Sequence, residues 1–343
     1  MSQYGSFKDF CRDAGNRAAT IPVCNLFSLS PAKSGSNAAG FGGGCDLTGI
    51  SLSNDRHLAN LGSILLCGIA IAVSALLLWR SERKKAAVGR REMQLFLLGY
   101  IIISICEIFT VGGFPLDGAV RRGFSAVHIA AVVATAWILL LNAAVGFQLL
   151  DDGTPLSIGL ILTSSAILFV GTGYIALDTT FEWTGYWNDT LTTAKSYSLY
   201  TLYQLVPLVF IVIFFVMETY LVLRVLGEKK PMIYLAGAAL LFALGQIFQY
   251  VISVHLCNAS NGKINGGLFE TFFTLCAIAM APASNVCRDD PTDDVLFLLL
   301  LLPPVTVAAT VFALVPSFRV VDLDLDLITT IEPTTHANGP RES

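Results

Sequence analysis

The residues of this chain best suited to chemistry are its cysteines and the few polar side chains set inside apolar runs. Cys11, Cys24, Cys45 and Cys257 stand in polar segments, Cys67, Cys106 and Cys276 inside long apolar runs, and Cys287 just beyond the last of these. No Cys-x-x-Cys spacing occurs, and the nearby histidines are only His57 and His255, so metal binding is a poor reading. Four cysteines outside the apolar runs permit two disulfides in three pairings. The cysteines within the runs read as small packing residues. Glu107, Glu218 and Glu270 are the carboxylates inside the apolar runs, joined by the neutral Asn142, Gln204, Gln246 and Gln249 and by His128. A charge at mid-bilayer costs several kcal/mol, so these positions raise the question of a proton path or a buried ligand site. Interfacial snorkelling and hydrogen bonding between helices is the plainer account.

The elements that must position these groups are membrane helices. Only 13% of the residues are charged and the mean hydropathy is +0.67, where a soluble domain carries about a quarter charged residues. An ordinary cytosolic enzyme, a disordered linker and a basic nucleic-acid binder are excluded. A span needs roughly 20 apolar residues. Seven windows qualify or nearly do: Leu61–Trp79, Leu95–Gly113, Ser125–Leu149, Ile158–Leu177, Leu199–Leu223, Met232–Val254 and Gly267–Ala283. They contain no Lys or Arg, and their apolar runs are continuous rather than alternating, which favours helices over barrel strands. The expected fold is therefore all-α, a polytopic membrane protein with seven transmembrane helices. Residues 1–60 form a Cys-containing arm, 61–283 the helical domain and 284–343 an acidic C-terminal region.

Orientation follows from Lys and Arg in short loops. Arg80 to Arg91 holds six basic residues within twelve, and Arg224, Lys229 and Lys230 follow the fifth window. Both loops fall on one side if every window spans, so that side is cytoplasmic and the N-terminus lumenal. Arg121 and Arg122 sit on the other side. The sequons Asn188-Asp-Thr190 and Asn258-Ala-Ser260 both land in lumenal loops and are the glycosylation candidates. The same topology puts Cys11, Cys24, Cys45 and Cys257 in an oxidising compartment, which makes them the disulfide candidates. The arm has no early basic-plus-apolar segment of a cleavable signal, so the first span acts as the insertion signal.

Function classes narrow further. A retinal pump would need a Lys in the seventh span, which has none. A seven-helix receptor has the right topology, but Gln148-Leu-Leu-Asp-Asp-Gly153 stands where an Asp-Arg-Tyr-like triplet would follow span three, and span seven lacks Asn-Pro-x-x-Tyr. No loop between spans is large enough for a glycosyltransferase domain, so no catalytic residue, cofactor or metal is expected. A receptor for an external ligand and, less favoured, a small-molecule transporter using Glu107, Glu218 or Glu270 are the alternatives from other classes.

Several segments, in order, resemble the fungal chitin synthase export chaperones. They are Phe7-Lys-Asp-Phe-Cys11 with Ile21-Pro-Val-Cys24-Asn-Leu26, then Gly89-Arg90-Arg91-Glu92, then Gly146-Phe147-Gln148-Leu149-Leu150-Asp151-Asp152-Gly153-Thr154. Gly245-Gln246, Cys257 and Gly266-Gly267-Leu268-Phe269-Glu270 to Met280 complete the pattern. The resemblance implies an endoplasmic reticulum membrane protein, multi-pass, needed for folding and export of a chitin synthase and hence for cell-wall chitin. Its role would be client binding rather than chemistry, and its partners the client and the lipid bilayer, without nucleic acid. The two cytosolic connections supply the client-contact candidates Arg90, Arg91, Glu92, Asp151, Asp152 and Gly153. Orientation alone also explains the basic loop, and Asp151 to Pro155 also reads as a tight turn.

After Met280 the pattern breaks. The family usually closes span seven with Val/Met-Tyr-Lys-x-Trp-Asp, whereas this chain continues Ala281-Pro-Ala-Ser-Asn-Val-Cys-Arg-Asp-Asp290. The apolar run 295–316, interrupted by Pro303-Pro304, is long enough for an eighth span. Intron-derived or frame-shifted coding text is the competing reading. Residues 287–343 carry nine acidic and three basic side chains.

Overall fold

A computed structural model describes residues 4–7, 10–11, 21–27, 47–51, 57–83, 90–114, 117–148, 153–187, 195–226 and 229–286; for 51, 57, 83, 225–226, 229–230 and 281–286 it describes the backbone alone. Asn188, Cys45, Asp151, Asp152, Cys287 and the run 295–316 lie outside the described residues. Among the described residues the fold is helical, apart from one two-residue antiparallel pair, β1 Ile50–Ser51 with β2 His57–Leu58.

Helix α1 is Leu61–Arg83, α2 Arg90–Thr110, α3 Gly118–Gly146 and α4 Pro155–Phe181. The fifth helix, α5, runs over 197–226 and the sixth, α6, over 229–259, both continuous but each with changes of pitch. The seventh, α7, is Gly266–Val286. At 1.5 Å per residue, the 23 residues of α1 extend about 34 Å, enough to cross a hydrocarbon core of about 30 Å. Six helices, α1 to α6, are long and apolar enough to cross a membrane; the apolar part of α7, Gly266–Met280, is shorter.

Local chemistry sets several boundaries. Asn60 is the residue before α1, and its Oδ1 accepts from the Ser63 amide at 3.1 Å, satisfying one free donor of the first turn. Thr154 does the same for α4, accepting from Ser157 N at 3.2 Å, and Pro155 opens that helix where no amide is needed. Gly153 just before it has φ +66°, a backbone that glycine adopts without strain. In α5, Pro207 has no amide for the preceding turn. The helix widens to π pitch over Thr201–Leu205, where Val206 N reaches back to Thr201 O. Two further π segments, Leu221–Leu226 and Phe248–Ile252, contain no proline.

Helix α3 is the hub. It packs against α2, α4, α5 and the short turn Pro22–Leu26, while α1 bridges α2 to α7 and α7 carries α6. Helices α3, α2, α1, α7, α6 and α5 thus follow one another around a ring, with α4 outside on α3. The ring is uneven. In the most apolar stretch of each helix 61% is buried for α3 but only 11% for α5, which packs chiefly along α3 and touches α6 thinly. Small residues allow the close pairs. A side chain at Gly99 would run into Thr135, and one at Gly237 into Met280.

Candidate functional site

At one end of the helices, the arm forms a covalently clipped cap. Cys11 and Cys24 are joined by a disulfide. Phe7, Ile21, Val23, Cys24, Leu26 and Phe27 are buried against Ala126, Ile129, Ala176 and Leu199. Polar contacts fix the cap's register: Asn25 Nδ2 donates to Ser125 Oγ at 3.2 Å, Ser196 N to Gly5 O at 3.0 Å, and Ser6 forms a bridge with Lys195. Phe10 lies against both Tyr200 and Tyr250, so the arm spans the ends of α5 and α6.

A second attachment lies beside it. Leu47, Ala59 and Cys257 share a small core, Thr48 N donates to Gly262 O at 2.9 Å, and Asn60 Nδ2 donates to Asn265 Oδ1 at 2.8 Å. Cys257 is itself disulfide-bonded, to a partner outside the described residues. Asn60 therefore caps α1, holds the loop before α7 and donates its amide to Gly112 O at the end of α2. The sequence signal for the first role was an Asn immediately before an apolar run; nothing in spacing announced the other two. Asn258 is exposed, but Ser260 of the same sequon is buried.

Inside the helical domain the polar residues gather in pairs. His128 Nε2 of α3 lies 3.6 Å from Glu107 Oε1 of α2, and the Cys67 thiol of α1 donates to Glu107 Oε2 at 3.4 Å. Glu107 so links three helices, in a place where His128 is only 4% exposed. Glu270 of α7 accepts from Thr274 Oγ1 at 3.1 Å and lies near enough to Glu107 for the two carboxylates to interact. Tyr250 of α6 donates to Gln204 of α5 at 3.0 Å, joining two π segments. Trp137 Nε1 donates to Ser164 Oγ at 2.9 Å and fastens α3 to α4. Asn142, Gln246 and Glu218 are half-buried. Hydrogen bonds and one close ionisable pair make this interior a set of clamps between helices. Among the described residues no group of His, Cys, Asp and Glu is arranged to hold a metal ion.

The opposite end carries the remaining candidates. Arg91 is exposed and faces Glu82 at 3.4 Å, while Arg90 donates to the Glu82 carbonyl at the same distance. An exposed pair of this kind contributes little to stability. Glu92 is different: it is fully buried, and its Oε1 accepts from Gly153 N at 3.2 Å and Ser157 Oγ at 3.4 Å. A carboxylate at the start of α4 suits the free amides and positive end of that helix. The described parts of two segments far apart in sequence, Arg90–Glu92 and Gly153–Ser157, are thus tied together by Glu92.

The sequence profile of the chitin synthase export chaperone family matches residues 3–284. The chain belongs to that family. Proteins named chitin synthase export chaperone are similar over most of its length. The one from Aspergillus fumigatus is 30% identical, covering 81% of this chain and 80% of the relative. Those from Emericella nidulans and Neurospora crassa are 28% and 29% identical, covering 81% and 82% of this chain and 80% and 75% of theirs. No solved structure matches. The family's span of similarity ends within the last turn of α7, two residues before the end of the described structure. Its motifs have separate physical duties here. Cys11 and Cys24 clip the cap, Glu92 with Gly153 starts α4, and Gly245 of α6 faces Phe273 and the Glu270 backbone of α7.

Proposed function

We propose that this chitin synthase export chaperone family member acts in the endoplasmic reticulum membrane, binding a chitin synthase while it folds and releasing it for export to the cell surface. Its seven helices all span, its N-terminus is lumenal, and it works by client binding rather than catalysis. The observation that carries this reading is the disulfide-clipped cap. A Cys11–Cys24 bridge belongs in an oxidising compartment, and the cap sits at the end of the helices opposite the basic connection 80–91, whose charge belongs on the cytoplasmic side. The curated relatives bear the name of a chaperone for that synthase.

On the cytosolic side, Arg90, Arg91, Asp151 and Asp152 are the residues offered to the client, while Glu92 and Gly153 hold the two segments beside one another. The test is deletion of the gene in its own host with a tagged synthase followed by microscopy. Retention of at least one chitin synthase in the endoplasmic reticulum is expected, and normal delivery of every one of them would refute the proposal.

A further inference from the structure

We infer that the seam between α5 and α6 is the intramembrane docking site of the client, and that it takes a transmembrane helix of the synthase bearing a basic or other hydrogen-bond-donating side chain opposite Glu218. This inference rests on the chaperone reading above and names the surface that would serve it.

Three features single out the seam. Packing comes first. Around the ring most neighbouring helices interlock, while α5 lies along α3 and meets α6 thinly. The two are held at the capped end by Tyr250 donating to Gln204 and at the other by Leu221–Leu226 packing on α6. Helix pitch comes second. Both members of the Gln204–Tyr250 pair lie in π segments, and α5 has another at its far end, Leu221–Leu226. Wide turns of this kind mark functional sites in helices often enough to be informative, and they weaken regular packing where they occur.

The third feature is Glu218 itself. Gln204, Ile211 and Glu218 recur at seven-residue intervals, close to two turns, so they share one stripe of α5. Gln204 reaches α6 from that stripe, which identifies the stripe as the side turned toward the seam. Ile211 and Glu218 are half-buried and Val222, one turn on, is buried. Val209, Val212, Val216 and Tyr220 are exposed on the other side, as suits lipid contact. Glu218 has no hydrogen-bond or ion-pair partner among the described residues, unlike Glu92, Glu107 and Glu270. A carboxylate within an apolar helix needs a cation or donor, and lipid tails supply neither. It lies six residues before Arg224, about 9 Å along the axis, still within the apolar run. A client helix with a buried Lys, Arg or amide would meet the matching need. It would find in the seam a place where that side chain is paired before the synthase closes on itself.

Photo-crosslinking from within the seam tests this. A photoreactive residue is placed at Ile211, and in a separate protein at Val216, in full-length chaperone co-expressed with tagged synthase. Ile211 should capture the synthase and Val216 only lipid. In parallel, Glu218→Gln and Glu218→Lys are compared by synthase recovered with the chaperone in mild detergent. Glu218→Lys should lower recovery about tenfold or more, since a like charge then faces the client's donor, with Glu218→Gln between it and the native protein. Retention of the oxidised Cys11–Cys24 bridge in each variant shows that it has folded. Lipid adducts alone at Ile211, equal capture from Val216, or full recovery with Glu218→Lys would each overturn the seam while leaving co-purification intact. Absence of synthase from the native complex would instead remove the chaperone reading itself.

Discussion

Glu92 shows how a residue on a charged connection can be structural. Its carboxylate is fully buried and receives Gly153 N and Ser157 Oγ, while Oε2 has no partner among the described residues. Glu92→Ala removes both contacts and strands buried donors, which should destabilise the protein by about 1–3 kcal/mol; Glu92→Gln keeps one acceptor and should lose less. Thermal unfolding in detergent measures both, and an unchanged midpoint for Glu92→Ala would contradict the role. Asn258 is the complementary case, an exposed side chain in an unsuitable setting. It lies in the last turn of α6, and Ser260 Oγ is within 3.1 Å of Cys257 O and Ile264 O and accepts from Ile264 N. A sequon acts as an acceptor when it is an accessible loop, so no glycan should be found at Asn258 in the oxidised protein. Cys257→Ser, which loosens this turn, should expose the sequon. Endoglycosidase digestion in an Asn188→Gln background reads both outcomes, and a glycan on Asn258 of the protein with its cysteines intact would refute the expectation. Neither assignment was available from residue order. Gly-Arg-Arg-Glu and Asp-Asp-Gly-Thr were conspicuous as motifs, but only the fold reveals that Glu92 turns inward while Arg91 turns out.

At the scale of elements, the cap is a pair of attachments joined through the arm. The first is the Cys11–Cys24 clip over α3 and α5. The second surrounds Cys257, whose bridging partner can be argued from helix length. Two cysteines remain, Cys45 and Cys287, once the described bridge and the free Cys67, Cys106 and Cys276 are set aside. Cys287 immediately follows α7, which starts near Cys257 and runs away from it for 21 residues, about 31 Å. A disulfide requires Cα atoms within roughly 7 Å. Leu47, two residues after Cys45, is already in contact with Cys257. Non-reducing peptide mapping should therefore recover Cys45 linked to Cys257; a Cys257–Cys287 peptide would refute the assignment. Four cysteines outside the spans left three pairings open because spacing alone carries no distance. Adding the fold reduces them to one. The helices themselves were plainer in the sequence, since continuous apolar runs and scarce charge identify spans directly. Their pitch was not: only Pro207 hinted at one of the three π segments, and the others depend on packing that no single-chain pattern records.

For the molecule as a whole, the scarcity of charge and the arrangement of helices describe one object: a ring of six helices around buried polar clamps, capped at one end and basic at the other. The described contacts that build it lie between residues 4 and 286, and the family's similarity stops at residue 284. The cap, the Glu107 and Glu270 clamps and the seam beside Glu218 are all built from residues inside the family's span of similarity. A chain stopped after Asp290 should therefore reach the same steady-state level as the full chain and support synthase delivery equally in a host lacking its own family member. Both quantities can be followed in one experiment, by immunoblot and by microscopy of the tagged synthase. Loss of delivery at normal chaperone abundance would assign residues 291–343 a direct part in export. Loss of abundance would assign them instead to the stability of α7, the helix on which α6, and with it one wall of the seam, depends.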